Sequence, residues 1–289
     1  MPAIRLATRG SPLARWQAGH VARLLGRPVE LVVVQTEGDR RPEVPVPEMA
    51  GRGVFVKEVQ VAVLDGRADI AVHSAKDLPS EPTPGLQIAA VPERGDPRDA
   101  LVGGTLADLP PGALVATGSV RRRAQLAGLR PDLTFAGLRG AIDTRLAKSS
   151  GFSAIVMAAA ALQRLDRRPP VVDVLDPELM VPQVGQGALA VECRTGDDVT
   201  GTALAGLDHR ASHAALDAER AWLAALGGGC DLPAGALATV APDGTITLAG
   251  LLATLDGRVV LRSTATGSDP VALGRSVAND LLAATNRTA

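Results

Sequence analysis

Short apolar runs alternate with segments of helical periodicity over the first 90 residues of the chain. Apolar runs at 4–7, 29–35 and 70–72 predict strands. Between them, residues 12–25 and 54–64 carry apolar side chains at helical spacing. The run at 29–35 is nearly all apolar, so we expect it to be buried on both faces. This order of elements predicts a mostly parallel sheet with helices outside it.

The same alternation returns after a polar boundary. A charged segment with two prolines, 92–97, is typical of a linker between domains. Beyond it, runs at 113–116, 133–138 and 152–157 predict three further strands. We expect the apolar run at 188–193 to return to the first unit, so that the chain crosses twice and forms a hinge. The predicted fold class is α/β, with two doubly wound, periplasmic-binding-protein-like lobes.

A third unit has a different pattern. Helical spacing at 212–226 and 270–284 flanks three strand-like runs, which are separated by Asp-Gly pairs that favour hairpins. We therefore expect a smaller α+β C-terminal domain with an antiparallel sheet. The predicted domains are 1–92 together with 187–206, then 97–182, and finally 208–289.

Composition narrows the class of protein. The chain has 289 residues, 46% of them hydrophobic but only 2% aromatic, and its net charge is -1. This argues against nucleic acid as a partner, because single-strand binding depends on aromatic stacking and duplex binding on positive charge. No uninterrupted apolar stretch of about 18 residues predicts a membrane span, and residues 1–14 do not have the pattern of a signal peptide. Two cysteines are too few for a disulfide scaffold, so we expect a cytoplasmic protein with reduced thiols.

Polar side chains follow the predicted parallel strands at the points where those strands end. Open α/β sheets bind ligands at this edge. For any single segment, the alternative to a ligand site is a strand that ends in a solvent-exposed loop, since loops are polar in any case. The convergence of several strand ends favours a ligand site, which would contain Arg9, Ser11, Asp39, Ser74, Lys76, Asp77, Thr117, Ser119, Arg121, Arg122 and Arg139.

The stretch from residue 117 to residue 148 is strongly basic within a nearly neutral chain. It contains seven basic residues and two acidic ones. A turn at 117–119 opens a helix there, which adds backbone N–H donors and the positive end of the helix dipole. Because arginine bonds both oxygens of a carboxylate, the pattern predicts a cleft for a ligand with several anionic groups. A solvated helix face is the alternative, and it accounts well for Arg123 and Arg130.

Asp77 stands out among these cations. A carboxylate in such a setting can hold a cationic group or transfer a proton. A hydrolytic triad with His73 and Ser74 is disfavoured, because neighbouring strand residues point to opposite faces. We therefore expect His73 to be a packed or hydrogen-bonding residue.

Cys230 follows three glycines, so the backbone there can approach a ligand closely and expose the thiol. A chance placement in a glycine loop is the alternative. Cys193 lies in an apolar run and is expected in the core. His209 and His213 have metal-ligand spacing on a helix but no apparent third ligand, so we expect a solvated helix face and no metal site.

Motifs along nearly the whole chain, in order, resemble those of the porphobilinogen deaminase (hydroxymethylbilane synthase) family. In the first lobe they are Ala-Thr-Arg at 7–9, Ser-Pro-Leu-Ala at 11–14, Gly-Val-Phe-Val-Lys-Glu at 53–58, Ala-Asp-Ile-Ala-Val-His-Ser at 68–74 and Lys-Asp at 76–77. Further along they are Asp-Pro-Arg-Asp-Ala at 96–100, Thr117 with Ser119 and the arginines at 121–122, Leu-Arg-Gly at 138–140, Thr-Arg-Leu at 144–146, Val-Gly-Gln-Gly-Ala at 184–188 and Gly-Gly-Cys at 228–230.

The resemblance implies a cytoplasmic, monomeric transferase of haem-type tetrapyrrole biosynthesis. It would join four porphobilinogen molecules head to tail with loss of ammonia. Asp77 would be catalytic, and Cys230 would hold a dipyrromethane cofactor through a thioether. The resemblance also implies cofactor binding by Lys76, Ser74, Thr117, Ser119, Arg121, Arg122 and Arg145, substrate binding by Arg9, Ser11, Arg139, Gln186 and Arg164, and a flexible loop with Arg52 and Phe55.

Some positions depart from the family pattern. Ala141 stands where the family usually has Asn, Glu48 and Arg52 differ from common loop residues, and Gly118 replaces a frequent Ser. These changes leave open a paralogue with altered turnover. A two-lobed binding or sensing module for a multi-carboxylate ligand is the competing class, but it gives no reason for Cys230.

Overall fold

The computed structural model describes residues 2–40, 53–228 and 232–288. In these ranges the chain forms two five-stranded sheets and one three-stranded sheet. The prediction of two α/β lobes with a smaller α+β unit is confirmed. No helix within the described ranges is long and apolar enough to cross a membrane.

The first lobe is built on a sheet with the strand order β2-β1-β3-β10-β4. β1 runs parallel to both β2 and β3, whereas β10 is antiparallel to β3 and β4. The predicted return of the chain is therefore confirmed. The expected burial of β2 on both faces is wrong, because β2 is the edge strand of this sheet and Leu31 and Val33 are exposed. The elements are β1 (Ile4–Arg9), α1 (Pro12–Leu25), β2 (Val29–Val34), α2 (Glu37–Arg40), α3 (Lys57–Leu64), β3 (Ile70–Ser74), a 3₁₀ turn (Ala75–Asp77), β4 (Leu86–Ala90) and β10 (Leu189–Arg194).

The second lobe has the strand order β7-β6-β8-β5-β9, in which β6 is parallel to β7 and β8. Two of its strands, β5 and β9, were not predicted. Asp99, which directly follows the charged segment at 92–97, begins β5, a fully buried strand. The elements are β5 (Asp99–Val102), β6 (Leu114–Ala116), α4 (Val120–Leu129), β7 (Thr134–Ala136), α5 (Ile142–Ala147), β8 (Ala154–Ala158), α6 (Ala159–Arg164) and β9 (Val172–Val174).

The third unit packs two helices against an antiparallel sheet of β11, β12 and β13. Both predicted hairpins are present. Trp222 is wholly buried at its centre, and a Cβ on Gly250 would lie 2.6 Å from the indole nitrogen, so only glycine fits there. The elements from the end of β10 onward are α7 (Asp198–Leu204), α8 (Arg210–Ala225), β11 (Ala234–Val240), β12 (Ile246–Ala253), β13 (Val260–Gly267) and α9 (Pro270–Thr288).

The two crossings between the lobes meet a buried carboxylate of the third unit. Glu219 on α8 has no exposure, pairs with Arg94 at 2.5 Å and accepts a bond from the Gly185 amide at 2.7 Å. Arg94 lies on the outgoing crossing and Gly185 on the returning one. The crossings also touch each other, since a Cβ on Gly187 would lie 2.4 Å from the Gly95 carbonyl oxygen. The hinge region is thus anchored to α8.

Candidate active site

The first lobe contributes a group of polar side chains where β1 and β3 end. Ser11 caps α1 by accepting a bond from the Ala14 amide. Ser74, the last residue of β3, accepts a bond at 2.7 Å from Gln17 of α1. Together with Arg9, Phe55 and Asp77, these residues line one cavity. The expected convergence at this sheet edge is present.

Asp77 lies in the 3₁₀ turn directly after β3 and is half-buried in the cavity wall. Its carboxylate forms no hydrogen bond or ion pair with any residue the structure describes. Its negative charge acts on Lys76 and Arg145, where it partly offsets the lowering of their pKa values by burial and by neighbouring arginines. A half-buried carboxylate that faces cations without being paired to one is available for a substrate.

Lys76 connects the two lobes. Its ammonium donates to the Gln186 side-chain oxygen at 3.4 Å, and the same oxygen accepts a bond from Arg122 of the second lobe. Burial, and then the positive charge of Arg122, lower the pKa of Lys76 to about 8. An anion bound here would raise that pKa again and stabilise the charged ammonium.

A buried carboxylate in the second lobe holds two of the predicted arginines. Asp99 pairs with both Arg121 and Arg122 at 2.7 Å and also accepts a bond from Gln186. Burial alone would raise the pKa of Asp99, but the two guanidinium groups hold it well below its usual value. Sequence reasoning did not assign Asp99 to the site. Its place in the Asp-Pro-Arg-Asp-Ala motif at 96–100 was the available signal.

Arg121 and Arg122 differ in how many of their nitrogens bond to the described residues. Arg122 uses all three nitrogens on protein partners: Asp99, the Val156 carbonyl and Gln186. Arg121 uses Nη1 alone, on Asp99 and the Val181 carbonyl. Its Nε and Nη2 are buried without a partner among the described residues.

Two further arginines of this lobe surround the same space. Arg139 has a buried Nη1 without a partner in the described ranges. Arg145 donates from Nε to the Gly140 carbonyl, and its pKa is lowered by burial and by the charges of Arg122 and Arg139. Unpaired donors in a cluster of like charges favour an anionic ligand.

The turn that opens α4 is built as predicted. Ser119 caps the helix by accepting a bond from the Arg122 amide at 3.4 Å, and Thr117 accepts a bond from the Ser119 amide. A Cβ on Gly118 would lie 2.9 Å from the Leu138 carbonyl oxygen, so this backbone requires glycine. Ala141 is the N-cap of α5 and gives it no side-chain bond.

Arg164 lies between the lobes at the end of α6. It donates to the Gly187 carbonyl at 2.6 Å, and its guanidinium lies 5.7 Å from the centre of the Trp16 ring on α1. Burial lowers its pKa to about 10. With Lys76 and Ser74 it lines a second cavity. Trp16 was not among the predicted site residues.

Other predicted residues have separate roles or lie elsewhere. His73 pairs with the buried Glu192 at 3.0 Å while Ser74 bonds to Gln17, so the two side chains diverge as expected. Cys193 is wholly buried, which confirms its place in the core. Cys230, Arg52 and Glu48 lie outside the described residues.

The two histidines with metal-ligand spacing have local partners. His209 caps α8 through Ser212, and His213 bonds to Asp208 at 2.7 Å. Within the described ranges, no group of three or more His, Cys, Asp or Glu side chains could hold a metal ion.

Comparison with known proteins identifies two family models that match the chain. A family model described as porphobilinogen deaminase, dipyromethane cofactor binding domain, matches residues 4–202, and the C-terminal domain model of that family matches residues 214–283. Among solved structures, an amino acid ABC transporter substrate-binding protein from Streptococcus pneumoniae covers 70% of this chain and 85% of its own at 11% identity. The TM-score of this match is 0.37.

Curated relatives extend the match over nearly the whole chain. The porphobilinogen deaminase of Acidothermus cellulolyticus is 49% identical, covering 97% of this chain and 89% of the relative. That of Brevibacillus brevis is 44% identical, covering 96% and 94%, and that of Moorella thermoacetica is 46% identical, covering 97% and 93%. The chain therefore belongs to the porphobilinogen deaminase family.

Proposed function

We propose that this chain is a porphobilinogen deaminase, a transferase that joins four porphobilinogen molecules into the linear tetrapyrrole hydroxymethylbilane. The observation that carries the proposal is the half-buried Asp77 carboxylate, which has no partner among the described residues and faces cations contributed by both lobes. Family membership supports the same activity. In each step the aminomethyl C–N bond of porphobilinogen breaks with release of ammonia. A C–C bond then forms between that methylene carbon and the free α-carbon of the pyrrole already bound, and the α-carbon loses its proton. Water finally releases the tetrapyrrole and supplies its hydroxyl group.

Asp77 is the proposed catalytic residue. Loss of ammonia leaves positive charge on the pyrrole, and a nearby carboxylate stabilises that charge electrostatically. A carboxyl group at this position can also donate a proton to the departing amine or accept one from the pyrrole. The surrounding cations of both lobes would bind the carboxylates of the substrate.

The residues of the cleft fit a dipyrromethane cofactor, whose acetate and propionate groups require several cationic partners. The buried Nε and Nη2 of Arg121 have no partner in the part of the chain that the structure describes, and such a carboxylate would satisfy these donors. When bound through a thioether to Cys230, the cofactor supplies the pyrrole carbon that accepts the first porphobilinogen. The residues proposed to hold its carboxylates are Lys76, Ser74, Thr117, Ser119, Arg121, Arg122 and Arg145.

The proposed substrate-binding residues are Arg9, Ser11, Arg139 and Arg164, with Gln186 in a supporting role. Gln186 has no exposure, and its amide bonds to Asp99 and the Pro97 carbonyl as well as to Lys76 and Arg122. We therefore infer that Gln186 orients Lys76 and Arg122 towards the ligand. We also propose a cytoplasmic monomer, and light scattering in solution should give the mass of one chain.

The cofactor attachment distinguishes this enzyme from a binding module. An aldehyde reagent for pyrroles should colour the purified wild-type protein, and wild type should release ammonia from porphobilinogen. Cys230→Ser should give neither colour nor turnover. Cys193→Ala is the matched control, because Cys193 is buried in the first lobe, and it should keep both. Equal colour in wild type and Cys230→Ser would exclude the attachment site, and a colourless, inactive wild type would exclude the function.

A further inference from the structure

Two arginines on β1 form ion pairs of nearly the same geometry at opposite ends of the strand. At the start of β1, Arg5 donates from Nε and Nη2 to the two oxygens of Asp69. At the end of β1, Arg9 donates from Nε and Nη2 to the two oxygens of Asp39. Both Nε distances are 3.2 Å. The first pair lies at the opposite end of β1 from the proposed active site, whereas Arg9 lines the cavity that contains Asp77.

The two pairs differ in the remaining nitrogen of each guanidinium. Nη1 of Arg5 donates to the Gly66 carbonyl at 2.6 Å, so that arginine is fully engaged. Nη1 of Arg9 has no partner within the described ranges. Since Asp39 bonds the side edge formed by Nε and Nη2, the end edge formed by Nη1 and Nη2 stays available. An arginine fork can bind a second carboxylate through that edge.

Asp39 is itself held firmly. It accepts bonds from the Thr36 amide at 3.2 Å and the Thr36 hydroxyl at 2.8 Å, and Thr36 is wholly buried. Burial acts to raise the pKa of Asp39, but the bonds from Arg9 and Thr36 outweigh it and keep the pKa below its usual value. Asp39 is therefore an ionised, fixed acceptor at neutral pH.

Phe55 fixes the plane of the Arg9 guanidinium. The carbon at the centre of the guanidinium lies 4.3 Å from the centre of the Phe55 ring, a distance typical of a cation–π contact. The ring in turn covers Gly38, where an added Cβ would lie 2.1 Å from the Phe55 Cε1 atom. Arg9 is thus held at one edge by Asp39 and on one face by Phe55.

We propose that Asp39 is a positioning residue for the reaction: it holds the side edge of Arg9, so that the end edge faces the cavity and accepts a carboxylate of porphobilinogen. This inference rests on the proposed function. A fixed guanidinium binds an anion without first losing the freedom of a long, flexible side chain. The opposing effect is electrostatic, because the negative charge of Asp39 weakens the attraction of Arg9 for an anion. Removing the charge of Asp39 should raise KM for porphobilinogen if Asp39 positions Arg9. It should lower KM if the main effect of Asp39 is to weaken the attraction of Arg9 for the substrate.

The test compares Asp39→Asn with its counterpart Asp69→Asn, in protein whose cofactor content is matched with the aldehyde reagent. We expect Asp39→Asn to raise KM for porphobilinogen about tenfold, the scale of ordering one such side chain, with a smaller change in kcat. Asp69→Asn should leave KM unchanged. Asp39→Glu keeps the carboxylate, so its KM should lie between those of wild type and Asp39→Asn. If Asp39→Asn folds poorly, Asp39→Glu takes its place in the comparison with wild type.

A double-mutant cycle tests whether Asp39 acts through Arg9. In an Arg9→Gln background, Asp39→Asn should have no further effect on KM, whereas a general structural role would add its cost in both backgrounds. An unchanged or lower KM for Asp39→Asn, or additive effects in the cycle, would overturn the inference. An inactive wild type would instead overturn the proposed function, so the two failures are distinguishable.

Discussion

The carboxylate of Asp99 lies 2.7 Å from the guanidinium of Arg121, with 0% of the Asp99 side chain and 3% of the Arg121 side chain exposed. Removing one partner of a buried pair leaves the other charge uncompensated, and this costs about 3–5 kcal/mol. Here the same carboxylate also pairs with Arg122. We therefore expect Asp99→Asn to lower the free energy of unfolding by about that amount, as measured by urea denaturation at neutral pH. The exposed pair of Asp143 and Arg167 gives the control, because Asp143→Asn should change stability little.

Asp99 also predicts how stability depends on pH. Its pKa in the folded protein is below the ordinary value, so the ionised form stabilises the fold at every pH above the unfolded-state pKa. This contribution is lost as the pH falls below about 4 towards the folded-state pKa. Wild type should therefore lose stability more steeply than Asp99→Asn on acidification below that point. Parallel stability curves for the two proteins would contradict the prediction.

The sequence predicted the elements whose pattern is strong and local. Residues 12–25 have a cap, a proline at the first helical position and regular spacing, and α1 covers the same range. The hairpins of the third unit carry Asp-Gly turns, and both are present. β5 was missed because Asp99 continues a charged run that reads as a linker. Its burial depends on Arg121 and Arg122, which are more than 20 positions away in the chain.

The same difference between local patterns and contacts of distant segments explains which parts of the site could be predicted from the sequence. The ends of the predicted strands and the basic residues near them identified the charged positions of the site, because each of these features can be recognised from the local sequence. Contacts between distant segments were not visible, such as Arg9 with Asp39, Arg94 with Glu219, or Arg164 over Trp16. Those contacts decide which donors remain free for a ligand. They arise only once each lobe has folded and the lobes have packed against each other and against α8.

Asp77 should be essential for turnover. Asp77→Asn keeps the size of the side chain but removes its charge and its proton, and we expect kcat to fall by about 10²-fold or more, the scale of general acid–base catalysis. Steady-state release of ammonia from porphobilinogen measures the change. Asp65→Asn is a control in the same lobe, since Asp65 pairs with Arg67 at the surface. Near-normal turnover of Asp77→Asn at neutral pH would remove Asp77 from the mechanism.

Lys76 should impose an upper pH limit on substrate capture. Its pKa of about 8, lowered by burial and by Arg122, means that the ammonium loses its charge as the pH rises through that value. Since the carboxylates of a bound cofactor raise this pKa, the limit applies to the apoenzyme: its rate of reconstitution with porphobilinogen, followed with the aldehyde reagent, should fall on the alkaline side with an apparent pKa of about 8. Lys76→Arg keeps a positive charge at that pH and should flatten the profile, whatever its absolute rate. A profile with the same alkaline limit in both proteins would assign that limit to another group.

Arg139 should govern particular steps of chain growth. Each added pyrrole brings two more carboxylates, so the bound chain becomes steadily more anionic while the set of arginines stays fixed. The buried Nη1 of Arg139 has no partner among the described residues, so it is a donor that the growing chain can use. Arg139→Leu would leave a carboxylate partly unpaired, and an unpaired buried charge costs several kcal/mol. The cost should fall on elongation and not on attachment of the cofactor.

With limiting porphobilinogen, intact-mass measurement should therefore show this variant stalled after one or two added units, whereas wild type shows one to three. Arg123→Leu is the matched control, because Arg123 is exposed on α4, and it should give the wild-type ladder. If Arg139→Leu gave that ladder too, with unchanged turnover, Arg139 would belong to the solvated face of the lobe.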